Sequence, residues 1–196
     1  MAAFAEGQKS LEKRAVIQRR NDGVVNSYTF MLTFSLPSRG ADPSQYLDAL
    51  FEAGCDDASV EIGQHGVIGL DFARSASCAD EALCSAIRDA QTAIPGAILV
   101  QAGPDLVGLT EMAEVFGFSR QNMRKYATGL PASREAFPAP AILGEPSLWH
   151  LAEIASWLKL NTTVRPPPDV LEVSKAAARI NFEVERERMR KILELV

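Results

Sequence analysis

The sequence predicts an α+β chain made of a mixed strand-and-helix segment followed by a mainly helical one. Three observations carry this reading. Residues 28–103 set apolar runs of strand length between stretches of helical period. Residues 104–161 contain two short amphipathic helices around a glycine, then a proline-punctuated stretch and a third helix. Arg165-Pro-Pro-Pro168 closes a stiff linker over 162–168, and one charged helix succeeds it over 169–196. Residues 1–27 are polar, without sustained period, and are expected to form a flexible arm.

The first segment reads element by element. Tyr28–Leu36 is aromatic and β-branched, and Pro37 stops it. Pro43 suits a first helical turn. Tyr46, Leu47, Leu50 and Phe51 follow at helical spacing, and Gly54 ends that helix. Ala58–Ile62 and Val67–Phe72 are short strands around the turn Gly63-Gln-His-Gly66, so they should pair as a hairpin. Ser77 is the expected cap of a second helix that buries Ala82, Leu83, Ala86, Ile87 and Ala90. Pro95-Gly96 ends it, and Ala97–Val100 is a last strand. The order β-α-β-β-α-β is that of the split βαβ, or ferredoxin-like, arrangement. That fold hosts many functions and decides none.

Charge is unevenly spread. The net charge is −5, but residues 28–103 alone carry ten acidic and three basic residues. Residues 1–27 and 162–196 are slightly basic and 104–161 nearly balanced. A phosphate backbone would repel the acidic segment, so that segment should face away from any nucleic acid. No apolar stretch approaches the roughly 18 residues of a membrane span, and the N-terminal residues lack the apolar core of a secretory signal. Cys55, Cys78 and Cys84 are odd in number and lack metal-ligand spacing, which favours free thiols in a cytoplasmic protein.

The segment Leu109–Thr128 fits a helix-turn-helix. Thr110 is the expected cap of its first helix, with Met112, Val115 and Phe116 inward and Ala113 small where a second helix must cross. Gly117 suits a turn with positive φ, Phe118 fills the space between the helices, and Ser119 caps the second. Met123 and Tyr126 face inward from it. The outward positions are Arg120, Gln121, Arg124, Lys125 and Thr128. Arginine can bond guanine and glutamine adenine in bidentate fashion, and the helix start at Ser119 can receive a phosphate. Residues alone leave a plain helical hairpin with a polar outer face as the alternative.

Residues 137–158 extend the pattern. Phe137-Pro-Ala-Pro140, Ala141-Ile-Leu, Gly144-Glu-Pro and Ser147-Leu-Trp149 suggest a short β-hairpin. Leu151, Ile154, Ala155 and Leu158 then form the inner face of a helix with Trp157 at its edge. Residues 105–160 resemble the winged helix-turn-helix of the excisionase and prophage-regulator group, related to the MerR-type DNA-binding domain. The residues that carry the resemblance are Leu109-Thr-Glu-Met-Ala113, Gly117-Phe-Ser-Arg120, Phe137-Pro-Ala-Pro140, Leu148-Trp149 and Ile154–Leu158. The resemblance implies a recognition helix over 119–128 in the major groove and a wing on the backbone or minor groove. Arg120, Gln121, Arg124 and Lys125 would be groove residues, with Arg134 at the approach to the wing. The whole arrangement also resembles bacterial helix-turn-helix proteins in which an acidic α/β segment with a Gly-Cys-Asp-Asp stretch, here Gly54–Asp57, precedes the DNA-binding part.

Other chemistry is weakly supported. His65 falls in a turn, and His150 opens a helix as a capping or packing residue. Asp56-Asp57 reads as a turn rather than as a metal or catalytic pair. No phosphate-binding glycine loop, nucleophile triad or metal-ligand helix is present, so no cofactor and no catalysis is expected. The pairs Lys13-Arg14 and Arg19-Arg20 are candidate phosphate contacts. The basic residues of 186–191 alternate with glutamates, as on a solvated helix face.

The expectation is a cytoplasmic, nucleoid-associated protein that binds double-stranded DNA as a homodimer and represses or otherwise regulates transcription. A protein or small-molecule effector could act at 28–103. Two alternatives are an architectural, excisionase-like recombination factor and a DNA-tethered module that recruits another protein.

Overall fold

A computed structural model describes residues 26–61, 65–129 and 135–194. The basic pairs Lys13-Arg14 and Arg19-Arg20, Gly63-Gln64 of the hairpin turn, and Arg134 lie outside the described residues. The chain is α+β and divides into two compact units. One comprises the residues up to Ala102 and from Arg179 onward; the other is Gly103–Ala178.

The first unit is built on a four-stranded antiparallel sheet of β1 (Asn26–Ser35), β2 (Ala58–Glu61), β3 (Val67–Ala76) and β4 (Ile98–Gly103), in the order β2-β3-β1-β4. β1 and β3 pair along their whole length, from Asn26 opposite Ala76 to Ser35 opposite Val67. Strand alternation turns Tyr28, Phe30, Leu32 and Phe34 of β1 to the same side as Ile68, Leu70 and Phe72 of β3, and all are buried. Phe30 and Phe72 stack directly across the ladder, with ring centroids 5.2 Å apart. A 3-10 turn, Pro43–Tyr46, leads into α1 (Leu47–Glu52), whose one buried residue is Leu50. Gly54 takes φ +91° and lets the chain leave α1.

α2 (Ala79–Ala93) lies against β1 and β3. Ala82, Leu83, Ala86, Ile87 and Ala90 form its buried face. Its cap is Cys78 rather than the expected Ser77. The Ser77 amide and hydroxyl instead both donate to the Glu81 carboxylate, which fixes the entry from outside the helix.

In the second unit β5 (Leu106–Val107) pairs with β6 (Trp149–His150). α3 (Leu109–Phe116), α4 (Arg120–Ala127) and α5 (Leu151–Asn161) surround one core of Val107, Met112, Ala113, Met123, Leu151, Ile154 and Leu158 with the two tryptophans. Trp157, expected at the edge of its helix, is only 5% exposed and belongs to that core. The indole has carbonyl and aromatic partners there that the helical period alone does not reveal. α6 (Pro168–Glu194) begins in the second unit, and its residues from Arg179 onward belong to the first. Among the described residues no helix is long and apolar enough to cross a membrane.

Candidate nucleic-acid interface

The geometry of the second unit begins at Gly108, which occupies the cap position of α3. The Glu111 carboxylate accepts the Gly108 N–H at 2.5 Å, so an anion sits at the positive end of the helix. Thr110, expected as the cap, lies exposed inside the first turn. The helix starts two residues earlier than expected because Glu111 supplies the acceptor that a capping hydroxyl would have given.

Gly117 ends α3 with φ +68°, in the left-handed region that glycine enters at little cost. The Phe118 N–H donates to the Ala113 carbonyl at 2.7 Å and closes the turn. Two residues later Ser119 caps α4, its Oγ accepting the Asn122 N–H at 3.2 Å. Met112 and Met123 are fully buried between the helices, and Ala113 leaves room for the crossing.

Ser119, Arg120, Gln121, Arg124, Lys125 and Thr128 are all exposed. α4 contains no acidic residue. Among the described residues no carboxylate pairs with Arg120, Arg124 or Lys125, so three cations stand open on one short helix. Thr128 differs from the rest. It caps the C-terminal end, and its hydroxyl points back to the carbonyls of Arg124 and Lys125 at 3.0 and 3.1 Å. Its donor is therefore spent within the helix.

The inner side of α4 is tied to the rest of the unit by aromatic rings. Phe118 lies 6.1 Å from Tyr126, Tyr126 5.7 Å from Trp157, Trp157 5.0 Å from Phe137, and Phe137 6.3 Å from Trp149. Both indole N–H groups donate to the segment before the hairpin: Trp149 to the Pro138 carbonyl at 3.0 Å and Trp157 to the Glu135 carbonyl at 3.2 Å. The hairpin itself is held by reciprocal bonds between Ile142 and Leu148, at 3.1 and 2.9 Å. It has no Lys or Arg from 135 to 148, while Glu135 and Glu145 are exposed. Leu143 is 86% exposed. This hairpin offers no cation to a phosphate, so of α3, α4 and the hairpin only α4 carries exposed cations.

His150 lies in β6, and its Nδ1 meets the Asp105 carboxylate at 2.7 Å, while the Asp105 carbonyl accepts the Leu151 N–H at 2.7 Å. Asp105 is buried. Sequence reasoning missed this pair, because its members are 45 residues apart. His65 is exposed.

The Gly54–Asp57 stretch has a structural role. Arg74 extends the inward row Ile68, Leu70, Phe72 and is itself buried. Its guanidinium binds both oxygens of Asp57 at 2.8 and 2.9 Å, Asp89 at 2.6 Å, Ser85 at 3.2 Å and the Gly54 carbonyl at 2.7 Å. It also lies 4.9 Å from the centre of the Phe72 ring. Burial works against its charge, but the hydrogen bonds and attraction of Asp57 and Asp89 outweigh that and raise its pKa. Asp56 is exposed beside this cluster. Cys55 is buried, Cys78 and Cys84 are half-buried, and none of the three is in a disulfide. Among the described residues no group of three or more His, Cys, Asp or Glu is placed to hold a metal ion.

Comparison with protein-family models, with curated proteins and with solved structures returns no match.

Proposed function

We propose that the chain binds double-stranded DNA, with α4 as the recognition helix of a winged helix-turn-helix and the hairpin around Ile142 and Leu148 as its wing. The observation that carries this reading is the outer face of α4, where Arg120, Gln121, Arg124 and Lys125 stand exposed with no acidic neighbour on the helix. Arg120 and Gln121 occupy the first turn, the part of such a helix that reaches base edges. Arg124 and Lys125 suit phosphates. The left-handed turn at Gly117 and the Ser119 cap support the same motif.

On this reading the strand order of the first unit is that of a ferredoxin-like domain, which carries regulation rather than DNA contact. Its many carboxylates favour a role away from the phosphates and leave it open to a protein or small-molecule effector. One helix reads only a short site, so two copies related by two-fold symmetry would give the specificity of a transcriptional regulator in the bacterial nucleoid. The reading needs no cofactor and no catalytic step.

The test is selection of bound sequences from a random duplex library with the full-length protein at near-physiological salt. An enriched inverted repeat supports a dimeric, sequence-specific regulator. Arg120→Ala and Gln121→Ala should then each relax base preference by about 1–3 kcal/mol. Failure to enrich any motif, with binding that vanishes as salt rises, overturns sequence-specific reading by α4.

A further inference from the structure

Glu135 is exposed, yet both of its backbone groups are held by α5. Asn161 Oδ1 accepts the Glu135 N–H at 2.9 Å, and Trp157 Nε1 donates to the Glu135 carbonyl at 3.2 Å. Trp157 and Asn161 are four residues apart and so stand on one side of the helix. Asn161 Nδ2 donates to the Trp157 carbonyl at 3.1 Å, which leaves its Oδ1 turned toward Glu135. A third bond lies at the Pro138 carbonyl, which accepts from Trp149 Nε1 at 3.0 Å. The chain thus enters the hairpin gripped at Glu135 and again at Pro138.

We propose that Trp157 and Asn161 are positioning residues for DNA binding: they hold Glu135 and so set where the hairpin stands relative to α4. The proposal rests on the DNA-binding reading. One indole reaches both parts. Its ring centre lies 5.7 Å from that of Tyr126 on α4 and 5.0 Å from that of Phe137, both edge to face. Trp157 is buried and its N–H is bonded. A shift of Glu135 against α4 therefore breaks the indole bond and separates the rings.

Placement matters because of what the hairpin lacks. α4 carries cations that attract phosphates, while residues 135–148 carry none. A phosphate backbone repels the exposed Glu135 and Glu145. Charge therefore does not draw the hairpin to a duplex. It arrives only because α4 carries it there at a fixed distance, with Ile142 and Leu143 at its exposed end. A hairpin released from α5 would have to be ordered on binding, and that cost would weaken the complex.

The test is hydroxyl-radical footprinting and titration of the full-length protein on a duplex enriched by selection. The native footprint should have two parts, one stretch under α4 and a flanking stretch under the hairpin. Trp157→Phe keeps a ring and removes the donor; Asn161→Leu keeps the size and removes the acceptor. Each should lose the flanking protection and bind about tenfold more weakly, while the base preference set by Arg120 and Gln121 remains. Asn161→Asp keeps an acceptor for the Glu135 N–H and should keep the flanking protection. Thermal melts show which variants are folded, and where one is not, the other decides. Flanking protection that survives in the folded variants, base preference lost along with it, or unfolding of both variants overturns the proposal. So does a native footprint without a flanking stretch. Failure to enrich any duplex is a different result: it overturns the DNA-binding reading itself, and the proposal with it.

Discussion

The side-chain amide of Asn181 pairs with the backbone of Ala102: its Oδ1 accepts the Ala102 N–H and its Nδ2 donates to the Ala102 carbonyl, each at 2.8 Å. Ala102 belongs to β4, an edge strand of the sheet. An edge leaves backbone groups open to pairing with another chain. The amide takes the place that a neighbouring strand would occupy and fastens α6 to the sheet with the same two bonds.

Asn181→Ala should therefore destabilise the first unit by about 1–3 kcal/mol, since Ala102 is fully buried and water does not replace the lost partners. Asn181→Asp should cost at least as much. The carboxylate keeps an acceptor for the N–H but sets a second oxygen against the carbonyl. Urea midpoints of the three proteins decide this, and an Asp variant as stable as the native chain would refute it.

Arg74 is the second point of high cost. It ties the loop after α1 to α2 through Asp57 and Asp89. Arg74→Met should lose about 2–4 kcal/mol, because it strands two carboxylates that face a buried partner in the native fold. The cost stays below that of a sealed pair, since the Asp57 and Asp89 side chains keep 28% and 30% of their surface in water. Arg74→Lys should recover little of it, as an ammonium cannot bond both oxygens of Asp57 and reach Asp89 in one plane. Chemical denaturation of Arg74→Met, Asp57→Asn and the double variant gives the coupling, and additive effects would show that the pair contributes nothing.

Cys55 confers a pH dependence. Burial pushes its thiol up to about 11 from an ordinary 9.0, against the attraction of Arg74. The unfolded chain releases this proton near 9 while the folded chain still holds it. Stability from this group is thus whole below about pH 9 and is lost as pH rises toward 11. Thermal melts between pH 8 and 10.5 should fall more steeply for the native chain than for Cys55→Ala. Parallel slopes would show that the thiol does not contribute.

Local patterns are the legible part of this fold. The alternation in Tyr28–Phe34 and the 3.6 period in Ala82–Ala90 each specify a buried face from neighbouring residues alone, and the outward residues of α4 follow from Gly117 and Ser119 in the same way. Caps fall one residue from the expected position at Cys78, and two from it at Gly108, because a glutamate one turn later, not a hydroxyl, organises each start. β3 runs on to Ala76, past the expected end at Phe72, because Arg74 looks like the polar end of a strand until its carboxylates are in place. The Asn181–Ala102 pair joins residues 79 apart, and the Asp105–His150 pair residues 45 apart. No local period encodes either. In α6 the apolar residues pass from the covered face at Ile180 to an open face at Met189.

Gly117 separates strain from crowding in the turn before α4. Its φ is +68°, and a Cβ built there would meet no atom within 4 Å. Space is thus no obstacle, and the cost of substitution is the left-handed backbone alone. Gly117→Ala should lose about 1 kcal/mol, Gly117→Val more because a β-branched side chain tolerates this region worst, and Gly117→Asn least because its amide tolerates that conformation. The order Asn, Ala, Val in thermal midpoint is the expected result. A clash would instead rank the variants by size and place Asn well below Ala. If the turn serves only to present α4, the Asn variant should also keep the DNA affinity of the native chain, while Val should lose affinity in step with its stability.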